Sequence, residues 1–223
     1  MESPFEYNGY VTGASFIGRN KELKMLSNLI RERNNVLIYG PARIGKRSLV
    51  YNTLNNLRQE GYRFTQFNMN LFNVRCIEAF LLRYTNIILG KYASSPMEMI
   101  SLARKHIPSA PYILNEKHPG ACVLTNRNKE LLSDSQIMEI LDLPARLAQG
   151  SQEHSIIYFE QFQDILLFED PSKFFALLDR VWRTHTSITY IITGERTNAM
   201  HSIFHAHLNP YDHISCIAAP VHN

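Results

Sequence analysis

A chain of 223 residues, 45% hydrophobic and 19% charged, has the length and make-up of one soluble α/β domain with a sizeable core. Its net charge of +3 is mild and its Lys and Arg residues are scattered, so the charge pattern gives no support for nucleic acid as a partner. The three cysteines (Cys76, Cys122, Cys216) lie far apart with no Cys-x-x-Cys pair, no apolar run approaches the ~20 residues of a membrane span, and Met1-Glu2-Ser3-Pro4 is not the start of a signal peptide; free thiols, no membrane partner and a cytoplasmic location are expected.

Residues 1–20 hold Gly9, Gly13 and Gly18 with little periodicity, so a turn-rich lead-in is expected. Asn20 reads as the cap of a helix that presents Leu23, Leu26, Leu29 and Ile30. Val36-Leu37-Ile38-Tyr39 reads as a buried strand, and a helix with Leu49, Val50, Leu54 and Leu57 follows from Lys46 to a stop at Gly61. The second strand is expected over 62–70. A long helix follows, capped by Asn73, with Ile77, Phe80, Leu81, Tyr84, Ile87 and Ile88 inward and Gly90 closing it. Pro96 opens a shorter helix that stops before Pro108.

Residues 93–150 read as an insertion, partly helical. Within it, 112–114 and 121–124 suit a small hairpin, and Ser133-x-x-Gln136 is a capping box opening a helix that Pro144 kinks and Gly150 ends. Ser155-Ile156-Ile157-Tyr158-Phe159 is apolar throughout, as a strand covered on both faces must be. Asp170-Pro171 starts a helix with Phe174, Phe175, Val181 and Trp182 in the core. A fourth strand over 187–193, a short helix over 197–207 and a fifth strand over 214–219 complete the series. Strands alternating with helices imply a three-layer αβα domain around a parallel sheet.

Between the first strand and its helix lies Gly40-Pro41-Ala42-Arg43-Ile44-Gly45-Lys46, the Gly-x4-Gly-Lys spacing of a phosphate-binding P-loop. Its glycines allow successive N–H groups to point into one concavity, the helix adds the positive end of its dipole, and Lys46 adds a full charge. The motif normally closes with Ser or Thr, whose hydroxyl binds Mg²⁺; here Arg47 stands there. Its guanidinium either replaces the metal's charge on the phosphates or fills the site with bulk. Ser48 is no substitute, because one helical step turns it about 100° away.

In P-loop proteins a second strand delivers an Asp for Mg²⁺, often followed by a Glu that activates water. The third strand here ends in Glu160-Gln161. Glu160 keeps a carboxylate, one methylene longer, which allows at most a weak Mg²⁺ contact. Gln161 can orient water but cannot take its proton, and a general base is worth ~10²–10⁴-fold in rate. Glu195, after the fourth strand, puts an acid where a small polar residue would better sense a γ-phosphate. His201, His205, His207 and His213 lack acidic partners and read as exposed or packing residues, not as a metal site.

Further matches lie in Pro4-Phe5, Val11-Thr12-Gly13, the box Phe16-Ile17-Gly18-Arg19-Asn20-Lys21-Glu22-Leu23, Leu143-Pro144-Ala145-Arg146, Glu160-Gln161-Phe162-Gln163 and Tyr190-Ile191-Ile192-Thr193-Gly194, with Met200 and Phe204 after it. With the P-loop they make the chain resemble the archaeal-type P-loop ATPases, a branch near the STAND and AAA+ ATPases. The resemblance implies a five-stranded parallel sheet in the order 5-1-4-3-2, ATP or ADP as ligand, and adenine near Phe16, Ile17, Gly18 and Arg19. It also implies Thr or Ser at Arg47, Asp at Glu160, Glu at Gln161 and Ser at Glu195, so the chain departs from it at the chemically demanding positions. Relatives continue past the fifth strand into a helical or winged-helix lid, which is expected to be missing here. Three readings follow: an ATP-binding domain with weak or lost hydrolysis, an active Mg²⁺-dependent ATPase, or a protein- or DNA-binding scaffold that needs no nucleotide.

Overall fold

The computed structural model describes residues 18–114, 124–126, 131–148, 154–206, 208 and 214–218. Phe16, Ile17 and the rest of residues 1–17 lie outside these, as do residues 115–123, Gly150, His207 and His213. In chain order the elements are α1 (Asn20–Arg31), β1 (Asn35–Tyr39), α2 (Lys46–Gln59), β2 (Phe64–Asn70), α3 (Ile77–Tyr92), α4 (Pro96–His106), β3 (Tyr112–Leu114), β4 (Leu124–Asn126), α5 (Asp134–Leu141), α6 (Leu143–Ala148), β5 (His154–Glu160), α7 (Pro171–Trp182), β6 (Ile188–Gly194), α8 (Thr197–Ala206) and β7 (Ile214–Ala218); a 3₁₀ segment spans Phe162–Leu167.

Five strands form one sheet in the order β2-β5-β6-β1-β7. Every pairing in it is parallel. Read from the other edge and counted as the five strands of the core, this is 5-1-4-3-2. The register aligns Asn70 with Glu160 and Tyr39 with Gly194, so the carboxyl ends of β2, β5, β6 and β1 open onto one side of the domain. Ligands of open parallel sheets bind at that side.

Alternation along the strands sorts the core into two layers. Val36 and Ile38 of β1, Ile156 and Tyr158 of β5 and Ile191 of β6 pack against Leu26 and Ile30 of α1 and Leu49, Val50, Leu54 and Leu57 of α2. Leu37, Ile157, Phe159, Tyr190 and Ile192 face the other way, toward α3, α5, α7 and α8. This second layer is aromatic. Phe159 stacks on Tyr190 with ring centroids 6.2 Å apart and on Trp182 at 5.9 Å, and it meets Phe162 at 5.8 Å. The segment between α3 and β5 lies against α3, where Asn86 grips the β3–β4 hairpin. Its Oδ1 accepts from Leu124 N at 2.6 Å, and its Nδ2 donates to Leu124 O at 3.1 Å.

Several helix boundaries differ from the sequence reading. Asn20 is the first residue of α1, not its cap; the cap is Arg19, in the left-handed conformation at φ 57° with no side-chain bond to the helix. Asn73 likewise caps nothing. It turns the chain at φ 64°, and α3 starts four residues later behind Cys76 and runs past Gly90 to Tyr92. Asn tolerates the left-handed region, so the same residue type serves a turn as readily as a cap. Of the second hairpin strand expected over 121–124, residues 121–123 lie outside the described residues, and β4 extends from Leu124 to Asn126. The helix expected to kink at Pro144 breaks into α5 and α6 at Asp142, because Pro144 has no N–H to give the preceding turn. The Ser133–Gln136 capping box and the Asp170 cap form as read.

Candidate functional site

The site grows from the turn between β1 and α2. β1 is held on both sides by β6 and β7, so its end is fixed before the loop begins. The loop passes through left-handed conformations at Arg43 (φ 63°) and Gly45 (φ 79°), then enters α2 at Lys46. Gly45 O accepts from Leu49 N at 2.9 Å, closing the first helical turn. The first N–H groups of α2 therefore sit at the loop, as a phosphate cradle requires. Gly40 is buried, Pro41, Ala42 and Arg43 are exposed, and Ile44 is half-buried.

Lys46 is only 8% exposed. Its ammonium bends back over the loop, donating to Gly40 O at 2.8 Å and Pro41 O at 2.6 Å. Burial holds its pKa below the usual lysine value; Glu195 opposes that shift and Arg19 adds to it. Arg19 thus belongs to the same electrostatic neighbourhood. Its Nη1 is buried and has no hydrogen-bond partner among the described residues. A buried donor left unsatisfied is costly, and an anion beside Lys46 would satisfy it.

Arg47 leaves the first turn of α2 and reaches the end of β5. Its Nε donates to Glu160 Oε2 at 2.8 Å and its Nη2 donates to the same oxygen. This bond raises the Arg47 pKa. The Glu160 side chain is 13% exposed and that of Arg47 is 45% exposed, so the carboxylate is covered and the cation faces outward. Ser48, one step on, is buried on α2.

Beyond Glu160 the chain turns through Gln161 at φ 58° into the 3₁₀ segment. Gln163, 4% exposed, ties the two strand ends together. Its Nε2 donates to Gln161 Oε1 at 2.5 Å, and its Oε1 accepts from Glu195 N at 3.3 Å. The sequence reading quoted Gln163 within a matching segment but gave it no role; it stands three places past the end of β5. Gly194 is glycine for want of space: a Cβ there would collide with the Met200 side chain and lie 2.8 Å from Gln163 Oε1.

The structure brings together Arg19, the 40–47 loop, Glu160, Gln161 and Glu195. The residues suit a polyphosphate: the turn leads into the N-terminus of α2, Lys46 and Arg47 are cations, and Arg19 carries a buried donor with no partner among the described residues. They do not suit Mg²⁺. A guanidinium takes the place of the expected hydroxyl and covers the carboxylate that would have been the first ligand. Among the described residues no group of three or more His, Cys, Asp or Glu is placed to hold a metal. His201 and His205 stack on each other at 5.3 Å, with Tyr39 edge-on to His201. No described helix is long and apolar enough to cross a membrane.

No protein-family model and no curated protein matches the chain. Solved structures do. The Walker-type ATPase of Pyrococcus abyssi is 16% identical at a TM-score of 0.56, over 97% of this chain and 57% of that one. The ORC2 protein of Aeropyrum pernix, solved in ADPNP–ADP complexes, is 15% identical at 0.62, over 99% and 52%. The ORC1 protein of the same organism, solved with DNA, is 11% identical at 0.58, over 93% and 46%. At these identities the likeness is one of fold: an α/β domain like that of Walker-type and ORC proteins. The chain spans about half the length of each.

Proposed function

We propose that this chain is a nucleotide-binding P-loop domain that holds ATP or ADP and hydrolyses it weakly or not at all. The observation that carries the reading is a contrast between two neighbours. The loop through Gly45 keeps the backbone shape of a phosphate cradle, while Arg47 beside it closes on Glu160. The backbone of Pro41 through Lys46 and the Lys46 ammonium would hold the phosphates, with the Arg19 guanidinium beside them. The nucleoside end would lie toward Gly18 and the preceding Phe16 and Ile17. A bound ATP supplies a reactive phosphoanhydride, and what this chain lacks is the means to use it. Gln161 cannot accept a proton, and its amide oxygen is taken by Gln163. Glu195 sets a negative charge near the phosphate tail, which disfavours the extra charge of a γ-phosphate.

Calorimetric titration with ATP and ADP tests the binding. Saturable binding that Lys46→Ala weakens by roughly 10- to 100-fold is expected, the scale of one charge-assisted hydrogen bond. No saturation up to millimolar nucleotide would remove the cradle's assigned role. Phosphate release no faster than in Lys46→Ala is expected; a clear excess would return the domain to the active ATPases.

A further inference from the structure

We infer that the cradle takes its phosphate ligand without a divalent cation, with the guanidinium of Arg47 standing in for the metal. This inference rests on the nucleotide-binding reading above and concerns how the same site neutralises its ligand. In a metal-assisted P-loop the cation lies between the side chain after the lysine and the carboxylate at the end of the neighbouring strand. Here the two positions are bonded directly to each other. Arg47 gives both Nε and Nη2 to Glu160 Oε2, so one of the carboxylate's oxygens already has two donors.

A Mg²⁺ ion needs its carboxylate oxygens at about 2.0–2.1 Å and near-octahedral room around them. To reach Oε2 it would have to displace the guanidinium and sit against a fixed positive charge. A phosphate faces no such obstacle. Guanidinium has five N–H donors in a planar fork, and the Glu160 contact uses two of the five. The remaining donors belong to the more exposed partner of the pair, on the residue that directly follows Lys46 at the start of α2. Glu160 then orients a cation instead of binding one. The order becomes carboxylate, guanidinium, phosphate, where a metal site would read carboxylate, metal, phosphate. Arg is suited to this bridging because its fork serves two oxyanions at once and stays charged at every working pH.

Titrating the full chain with ATP in EDTA, and again with excess Mg²⁺, tests the inference. Saturable binding in EDTA is expected, with an affinity that Mg²⁺ leaves unchanged or weakens by complexing the nucleotide. Arg47→Ala should lose roughly 10- to 100-fold in EDTA, and Glu160→Gln, which frees the guanidinium and removes a nearby negative charge, should bind more tightly. Arg47→Thr supplies a hydroxyl and uncovers Glu160, so its binding should become Mg²⁺-dependent. Circular dichroism of each variant separates lost binding from lost folding. Parent protein that binds only with Mg²⁺, or folded Arg47→Ala that binds in EDTA as well as the parent, overturns this inference and leaves nucleotide binding standing. Absence of binding in both buffers overturns both.

Discussion

The loop after β1 and the paired ends of β5 and β6 face one site, yet they are built from different material. The loop is a matter of backbone: two left-handed residues and the start of α2 define it, and side chains contribute little beyond Lys46. The opposite corner is made of side chains, Glu160 under Arg47, Gln161 under Gln163, and Gln163 under the Glu195 amide. Backbone-built geometry tolerates exchange of its neighbours as long as the residues in the left-handed region can keep their φ angles. Side-chain geometry changes with every replacement. The contrast lets a turn of phosphate-cradle shape stand beside a corner in which Arg47 closes on Glu160.

The largest effect should come from the support under that corner. Phe159, at 0% exposure, meets Tyr190, Trp182 and Phe162. Phe159→Ala should cost about 3–5 kcal/mol in chemical denaturation. A loss below about 1 kcal/mol would mean that the corner does not depend on the aromatic layer.

The other end of the same strand gives a pH signature nearly as large. His154 is 2% exposed, held between Tyr62 OH and Thr189 Oγ1 at 2.9 Å each, and burial pushes its pKa down from 6.5 to about 4. The folded state resists the proton that the unfolded chain accepts. His154 thus contributes fully above pH 6.5, and that contribution, about 3 kcal/mol by linkage, is lost as pH falls toward 4. Denaturation midpoints measured from pH 7.5 to 4 should fall over that window and flatten in His154→Phe.

Two glycines then separate the two kinds of construction. Gly194→Ala should cost about 1–3 kcal/mol by crowding Met200 and Gln163. Gly45→Ala meets no atom within 4 Å, so its cost, about 1–2 kcal/mol, should come only from the left-handed backbone. It should also abolish nucleotide binding, which Gly194→Ala should preserve. Equal loss of binding in both would blur the distinction drawn here.

Much of the scaffold was legible in the residues. Apolar runs gave β1 and β5, the Ser133–Gln136 pair gave a helix start, and Asp170-Pro171 gave another, because each depends on neighbours within a few positions. Asn20 and Asn73 misled, since a side chain able to cap a helix can also stand inside its first turn, as Asn20 does, or in a left-handed turn, as Asn73 does, and local sequence does not say which. The substitution at Arg47 could be read, but its partner could not. Glu160 lies 113 positions away, and only the parallel register brings β5 beside α2. Gln163 stayed silent for the same reason, its second contact being 32 positions off at Glu195.

The place of β1 in the sheet bears on how the molecule is made. Both strands that flank it come from the last part of the sequence, and Asn35 Oδ1 takes its hydrogen bond from Tyr190 N, 155 positions downstream. During synthesis the segment that carries the cradle leaves the ribosome early and waits, with Val36, Leu37 and Ile38 uncovered, until β6 exists to pair with it. Such long-range closure slows folding and prolongs exposure of an apolar strand. Nascent chains halted before residue 188 should therefore be the ones that chaperones retain.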